Sequence, residues 1–461
     1  MSLAIATFDN KSRSGDPLFK ALGHPAVAPR IRAWIAEMGK RGAVAVVDPW
    51  GQFSCLDALY DLSALTVSAR YVQRIEDLPA NQNTHANKVP VLPLSELAHT
   101  NAGQVMLAAF DADLARRSLA PLIEDRLPVF SFDDLKLEER YLTNTRKYLD
   151  PLNFATNFAL FRAGEGRHSV VRTAEYWSGY GAAAPRLWLT LLSGAGETLA
   201  SWEEDLVPGQ SIAIDAEKVR QRFSLPLFSG MLLIHAIGVS GHDQVKYVLD
   251  DVDDAGADPA VTHDSNSWPA AFYTGLPAPR PGEVVRLWLQ NAHPGPVPAG
   301  AIVLNLMGDD KTVALPEVIP GFGTVAIDTR TLFPDAVWPQ QIELASGQHV
   351  VRPRYEIVGW TTKSNTVTFA HMNVERTDLK PDPAIAKAMP LLGKGYLLPA
   401  PILPLGAFES VALVTPAARA QEKLPLKILA YDAQGQQVLE KKLGVAPRDK
   451  MPALVLNRLL E

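Results

Sequence analysis

Three stretches within residues 151–461 can be laid one over another. They are PRLWLTLLSGAGETLASWEEDLVPGQSIAID (185–215), AGAIVLNLMGDDKTVALPEVIPGFGTVAID (299–328) and LPLKILAYDAQGQQVLEKKLGVAPRDKMPALVLN (424–457). Each holds an alternating strand, a Gly/Asp turn, a second strand, a Pro-led loop and a third strand. The first two close on Ile-Asp, at Asp215 and Asp328. Upstream, GRHSVVRTAEYW (166–177), PGEVVRLWLQNAHPGPVPAG (281–300) and FESVALVTPAARAQEKLP (408–425) occupy equivalent places. Downstream, QVKYVLDDVDDAGADPAV (244–261) parallels TVTFAHMNVERTDLKPDPAI (366–385). The period, about 110 to 130 residues, suits a whole domain and is far too long for a solenoid turn. Short alternating strands between Pro, Gly and Asp predict antiparallel β-sandwiches. The expected units are 151–264, 265–392 and a partial third, 393–461, without the closing strands of the other two. Open sheet edges must be covered, by the second sandwich or by another protomer, and a homo-oligomer is expected.

Residues 1–150 carry a different rhythm. APRIRAWIAEMGKRG sets Ile31, Trp34, Ile35 and Met38 at helical spacing, and Gly42 closes that helix. An apolar strand, Val44–Val47, runs through the turn DPWGQ into a helix from Phe53 to about Leu62. LTVSARYVQ (65–73), VPVL (89–92), QVMLAAF (104–110) and LPVFSF (127–132) are further strands; PLSELAHT and DADLARRSLAPLIEDR are the helices between them. Strands alternating with helices imply a parallel sheet with crossover helices. The fold class expected for the whole chain is multidomain, a Rossmann-like α/β domain followed by repeated all-β sandwich units.

KVPVLPLSEL, followed by QVMLAAFDADLARRSLAPLIEDRLPVFSF, resembles the small Rossmann-like domain at the front of sugar O-acyltransferases and related nucleotide-sugar enzymes. The resemblance covers about 90 residues and implies a nucleotide or sugar-nucleotide at the first turn. In that family the turn is glycine-rich, whereas here it is Asp48–Pro49–Trp50–Gly51–Gln52. Pro49 and Trp50 stand where glycines would let backbone approach a pyrophosphate. LNLMGDDKTVALPEVIPGFGTVAIDTRTLFPD (304–335) is similar to the β-sandwich called sensory rhodopsin transducer, a binding or transducer module rather than an enzyme.

A ligand crevice is nevertheless a candidate. Amides around Gln52–Cys55 at a helix start could receive a phosphate or carboxylate, so Asp48, Trp50, Gly51, Gln52, Ser54 and Asp111 are its candidate residues. Ser54 could also help cap that helix. Asp111 either faces the crevice or caps the helix of ADLARRSL. Cys55, the one cysteine, is either a thiol with lowered pKa at a helix start or a small core residue.

Other constellations are weaker. THDSNSWP holds His263, Asp264, Ser265, Asn266 and Trp268, but neighbours in an extended segment point to opposite faces, and no G-x-S-x-G elbow exists. Counting a calcium loop from Asp251 puts Gly256 at position 6, with Ala255 and Thr262 where ligands are needed. His235, His242, His293, His349 and His371 lack metal-ligand spacing. Trp177, Tyr180, Trp188, Trp202, Trp268, Tyr273 and Trp288 could form a carbohydrate platform, though alternation sends half of such residues to the core.

A net charge of −6 gives no reason to expect nucleic acid as partner. No run approaches the length of a membrane span, and the first residues lack the form of a signal peptide. A non-catalytic cytoplasmic binding or assembly protein is therefore expected, needing no cofactor. The alternative is an enzyme or accessory factor of surface-glycan biosynthesis, with a small anionic or nucleotide-like ligand at DPWGQFS.

Overall fold

A computed structural model of the chain describes residues 2–9, 11, 13–74, 76, 78, 89–123, 126–254, 259–265, 268–360, 365–376 and 401–460. Asp16 starts α1 (Pro17–Leu22): its carboxylate accepts from the amides of Leu18 and Phe19, and Pro17 presets the first turn. Along α2 (Ala28–Lys40), Ala28, Ile31, Ile35 and Met38 form one buried stripe. All four residues of β1 (Val44–Val47) are buried, as a parallel strand covered on both faces requires.

Next come α3 (Phe53–Leu59), β2 (Val67–Val72), β3 (Val91–Pro93), β4 (Gln104–Leu107), α4 (Asp113–Ile123) and β5 (Val129–Ser131). The five strands form a parallel sheet in the order β3-β2-β1-β4-β5. Sequence order reverses between β1 and β4, so a crevice is expected above their carboxyl ends. This is the predicted α/β domain. The helix expected after VPVL is a 3-10 turn, Leu94–His99.

An eight-stranded antiparallel sheet follows, folded over on itself. Its strands are β6 (Ala155–Gly164), β7 (Arg167–Ala174), β8 (Arg186–Ser193), β9 (Thr198–Asp205), β10 (Ser211–Asp215), β11 (Phe228–Ile237), β12 (Tyr247–Asp253) and β13 (Ala260–Asp264). One half runs β9-β8-β11-β6 and the other β10-β7-β12-β13. Between them lie Leu187, Leu189, Leu191, Leu232, Ile234, Val171 and Leu249.

The next two sheets comprise β14 (Phe272–Pro277), β15 (Glu283–Gln290), β16 (Val303–Leu306), β17 (Thr312–Ala314), β18 (Thr324–Asp328), β19 (Gln341–Ala345), β20 (Arg354–Trp360), β21 (Asn365–His371) and β22 (Asn373–Val374). They run β17-β16-β19-β14-β22 and β18-β15-β20-β21, the first unit's strand order with one short strand added. By position, β12 corresponds to β20 and β13 to β21. The sequence alignment of 244–261 with 366–385 is therefore one strand out of step. Alternating strands match at many registers, and only their hydrogen-bonded neighbours tell them apart.

In the last described segment, β23 (Val411–Leu413) pairs with β26 (Ala453–Val455), and β24 (Lys423–Tyr431) with β25 (Gln437–Pro447). Corresponding pairs in the second unit are β15 with β18 and β16 with β17.

The units are joined by packing as well as by chain. Trp188, Leu192, Met231 and Ile237 alternate with the inward leucines and enter the head's core beside Phe19, Leu22 and Ile31. Trp288 and Phe369 of the second unit pack into the core of the first. Arg354 Nη2 crosses the same joint to Asp264 Oδ2 (2.6 Å) and the Tyr247 hydroxyl (3.0 Å). Arg448 ties the last segment to the second unit through Glu343 (2.6 Å) and Glu375. Among the described residues, no helix is long and apolar enough to cross a membrane.

Candidate functional site at the carboxyl edge of the parallel sheet

β1 delivers the chain directly to Asp48, whose side chain is completely buried. Its Oδ1 accepts from the backbone amides of Gln52 (2.8 Å) and Phe53 (3.4 Å). The anion at the start of α3 is thus the chain's own carboxylate. Oδ2 lies 3.3 Å from Arg70 Nε on β2. Burial raises the Asp48 pKa, while Arg70 and the turn amides pull it back. Gly51 makes the turn at φ +75°, and the Ser54 hydroxyl bonds back to its carbonyl (3.0 Å).

Gln52 reaches across the switch point: its Oε1 accepts from the amide of Phe110 (3.3 Å), just beyond β4. Trp50 stays outside, 46% exposed. Its indole does not fill the crevice; Asp48 and Gln52 occupy it.

The start of α4 repeats this arrangement with other residues. Asp133, two residues past β5, accepts from the amides of Asp111 and Ala112, each at 2.8 Å. Asp111 itself has φ +52°, a left-handed backbone that Asp tolerates. Its carboxylate turns the other way, to Lys136 Nζ (2.6 Å) and the amide of Tyr148 (2.9 Å). Asp111 is therefore not the helix cap. Lys136 also contacts Asp133 at 2.7 Å. Burial works against the Lys136 charge, but the bonds to Asp111 and Asp133 outweigh it and raise its pKa.

Of the residues expected at the crevice, Asp48, Trp50, Gly51, Gln52, Ser54 and Asp111, the fold gathers Asp48, Gln52 and Asp111 at one edge, together with Arg70, Asp133, Lys136 and Tyr148. Asp133 could have been found, because it lies just past a strand that must end at that edge. Cys55 is buried, and burial pushes its thiol pKa up, which rules against the reactive-thiol reading.

The remaining sequence candidates disperse. His263 is exposed and Asp264 buried, on opposite faces of β13. Trp268 packs against Phe8 with its ring tilted, the centroids 4.4 Å apart. Asn266 and Gly256 lie outside the described residues. Asp251, first in the proposed calcium loop, is buried against Arg162 and Arg167. Among the described residues, no group of three or more His, Cys, Asp or Glu could hold a metal. Trp177, Trp188, Trp202, Tyr273 and Trp288 are core residues, and Tyr180 alone of the proposed platform is largely exposed. No family model matches the chain, and no curated protein matches it.

Proposed function

We propose that the chain is a non-catalytic binding and assembly protein whose Rossmann-like head serves as structure rather than as a cofactor site. One observation carries this reading. The helix starts that would cradle a phosphate at the switch point, those of α3 and α4, already hold Asp48 and Asp133. A pyrophosphate would have to displace the buried carboxylate of Asp48 and the half-buried one of Asp133, and then sit beside them.

The body supports the same reading. Two sandwiches of one strand order are what duplication of a structural module produces. The last hairpin leaves Tyr431, Val438 and Val445 more than half exposed, a surface suited to self-association. A cytoplasmic location belongs to the proposal, in keeping with a single, unbridged cysteine.

A thermal-shift screen with NAD, UDP-glucose and coenzyme A tests the central claim. No shift is expected with any of them. A ligand at a hundred times its Kd adds about 2.7 kcal/mol of stability. A rise of several degrees with one of the three would overturn the structural reading and establish the nucleotide-binding alternative.

A further inference from the structure

The joint between the two sandwiches contains a cleft of about 360 Å³, lined by Arg162, Arg167, Arg286, Glu165, Glu356 and Val358, with Asp253 and Val367 at its sides. Small-ligand sites favour such inter-domain positions and sizes. Six charges alternate across it. Asp251 receives Arg167 (2.6 Å) and both Nε and Nη2 of Arg162 (3.0 Å each). Glu356 receives Arg162 Nη2 (2.7 Å) and Arg286 Nη1 (2.8 Å). Arg286 Nη1 continues to Glu165 Oε2 at 3.1 Å.

The links are not equivalent. Arg162, Asp251 and Glu356 are each less than 5% exposed, so the inner links are fixed and desolvated. The outermost link joins side chains that are 31% exposed on Arg286 and 74% exposed on Glu165. An exposed pair of this kind contributes little and exchanges readily. Among the described residues, Arg286 donates only from Nη1. Its Nε and Nη2 remain as a planar fork, the geometry that binds a carboxylate through two parallel bonds. Val358 and Val367 give the same cleft an apolar wall.

We propose that this cleft binds a small organic carboxylate with an apolar body, whose carboxylate pairs with the Nε–Nη2 fork of Arg286 and draws that guanidinium off its exposed Nη1 link to Glu165. Charge selects the class. The lining and the buried network behind it hold three arginines and four carboxylates (Glu165, Asp251, Asp253 and Glu356). A monoanion replacing Glu165 on Arg286 preserves that balance at the fork. A phosphate dianion would place surplus negative charge beside Glu356. This site is independent of the closed head, and either reading can fail alone.

The test is calorimetric titration of the full chain with benzoate, its neutral isostere benzamide, and inorganic phosphate. Benzoate alone is expected to bind. Glu165→Gln, a change at an exposed turn, should tighten benzoate about two- to fivefold, the effect of removing one exposed ion pair. Arg286→Met should abolish binding while far-UV circular dichroism stays unchanged. The proposal is overturned if benzamide or phosphate binds as well as benzoate, or if Glu165→Gln leaves the affinity unchanged. Survival of binding in Arg286→Met also overturns it, as does no binding by either the parent or Glu165→Gln at millimolar benzoate.

Discussion

Asp48 occupies the place that a bound phosphate takes at the start of a nucleotide-binding helix, accepting from the amides of Gln52 and Phe53. Asp48→Ala removes the acceptor of two half-buried amides and is expected to cost about 1–3 kcal/mol. Asp48→Asn should cost less than about 1 kcal/mol, because its amide oxygen can accept the same bonds without burying a charge. The pKa direction agrees. The folded chain holds the Asp48 proton more tightly than the unfolded one. Its contribution to stability is therefore complete below the unfolded value and lost as pH rises through the folded one. Urea midpoints for the two variants check this, and equal losses would contradict it. The turn DPWGQ was legible as lacking the glycines for a pyrophosphate. Which side chain fills it was not: Pro49 and Trp50 drew attention as the bulky residues, yet Trp50 faces solvent and the small, polar Asp48 turns inward.

At the scale of elements, apolar spacing located β1, α2 and α4 closely, because each buries one continuous stripe or run against the sheet. RLWLTLLS in β8 and GMLLIHAI in β11 are apolar at successive positions, and both faces of those strands are covered. The sequence could show that two covers exist without showing that the head is one of them. β24 and β25 read differently. In this hairpin only Ala430 is buried, and Val438 and Val445 are about 60% exposed. Light scattering of the parent chain is expected to give a mass above that of a monomer. Val438→Lys with Val445→Lys should return it toward one chain without lowering Tm by more than a few degrees. A parent chain that is monomeric would remove the assembly surface.

Over the whole molecule, buried histidines mark the joints between head and body. The amide of Ala26 donates to His24 Nδ1 (3.2 Å), so His24 carries its proton on Nε2 and donates to His235 Nδ1 at 3.1 Å. His24 also stacks on Trp188 of β8, and His293 of the second unit meets Phe19 of α1. Burial lowers the pKa of all three, His235 to about 3 and His293 to about 4. The unfolded value is about 6.5, so their contribution is complete above that pH and lost as pH falls toward the folded values. Each buried His then costs up to about 1.4 kcal/mol per pH unit. Urea unfolding should weaken from pH 6.5 to 4.5, with the Trp188 environment changing as the joint opens. Constant stability across that range would refute it. The sequence by itself determined the two classes of unit and their order, because helical and strand periodicities are local and recur along the chain. Tertiary structure alone decided that the phosphate positions are filled from within, that β8 and β11 join two cores, and that six charges meet between the sandwiches. Those outcomes depend on contacts between residues far apart in sequence, and no local pattern records which distant side chain will arrive.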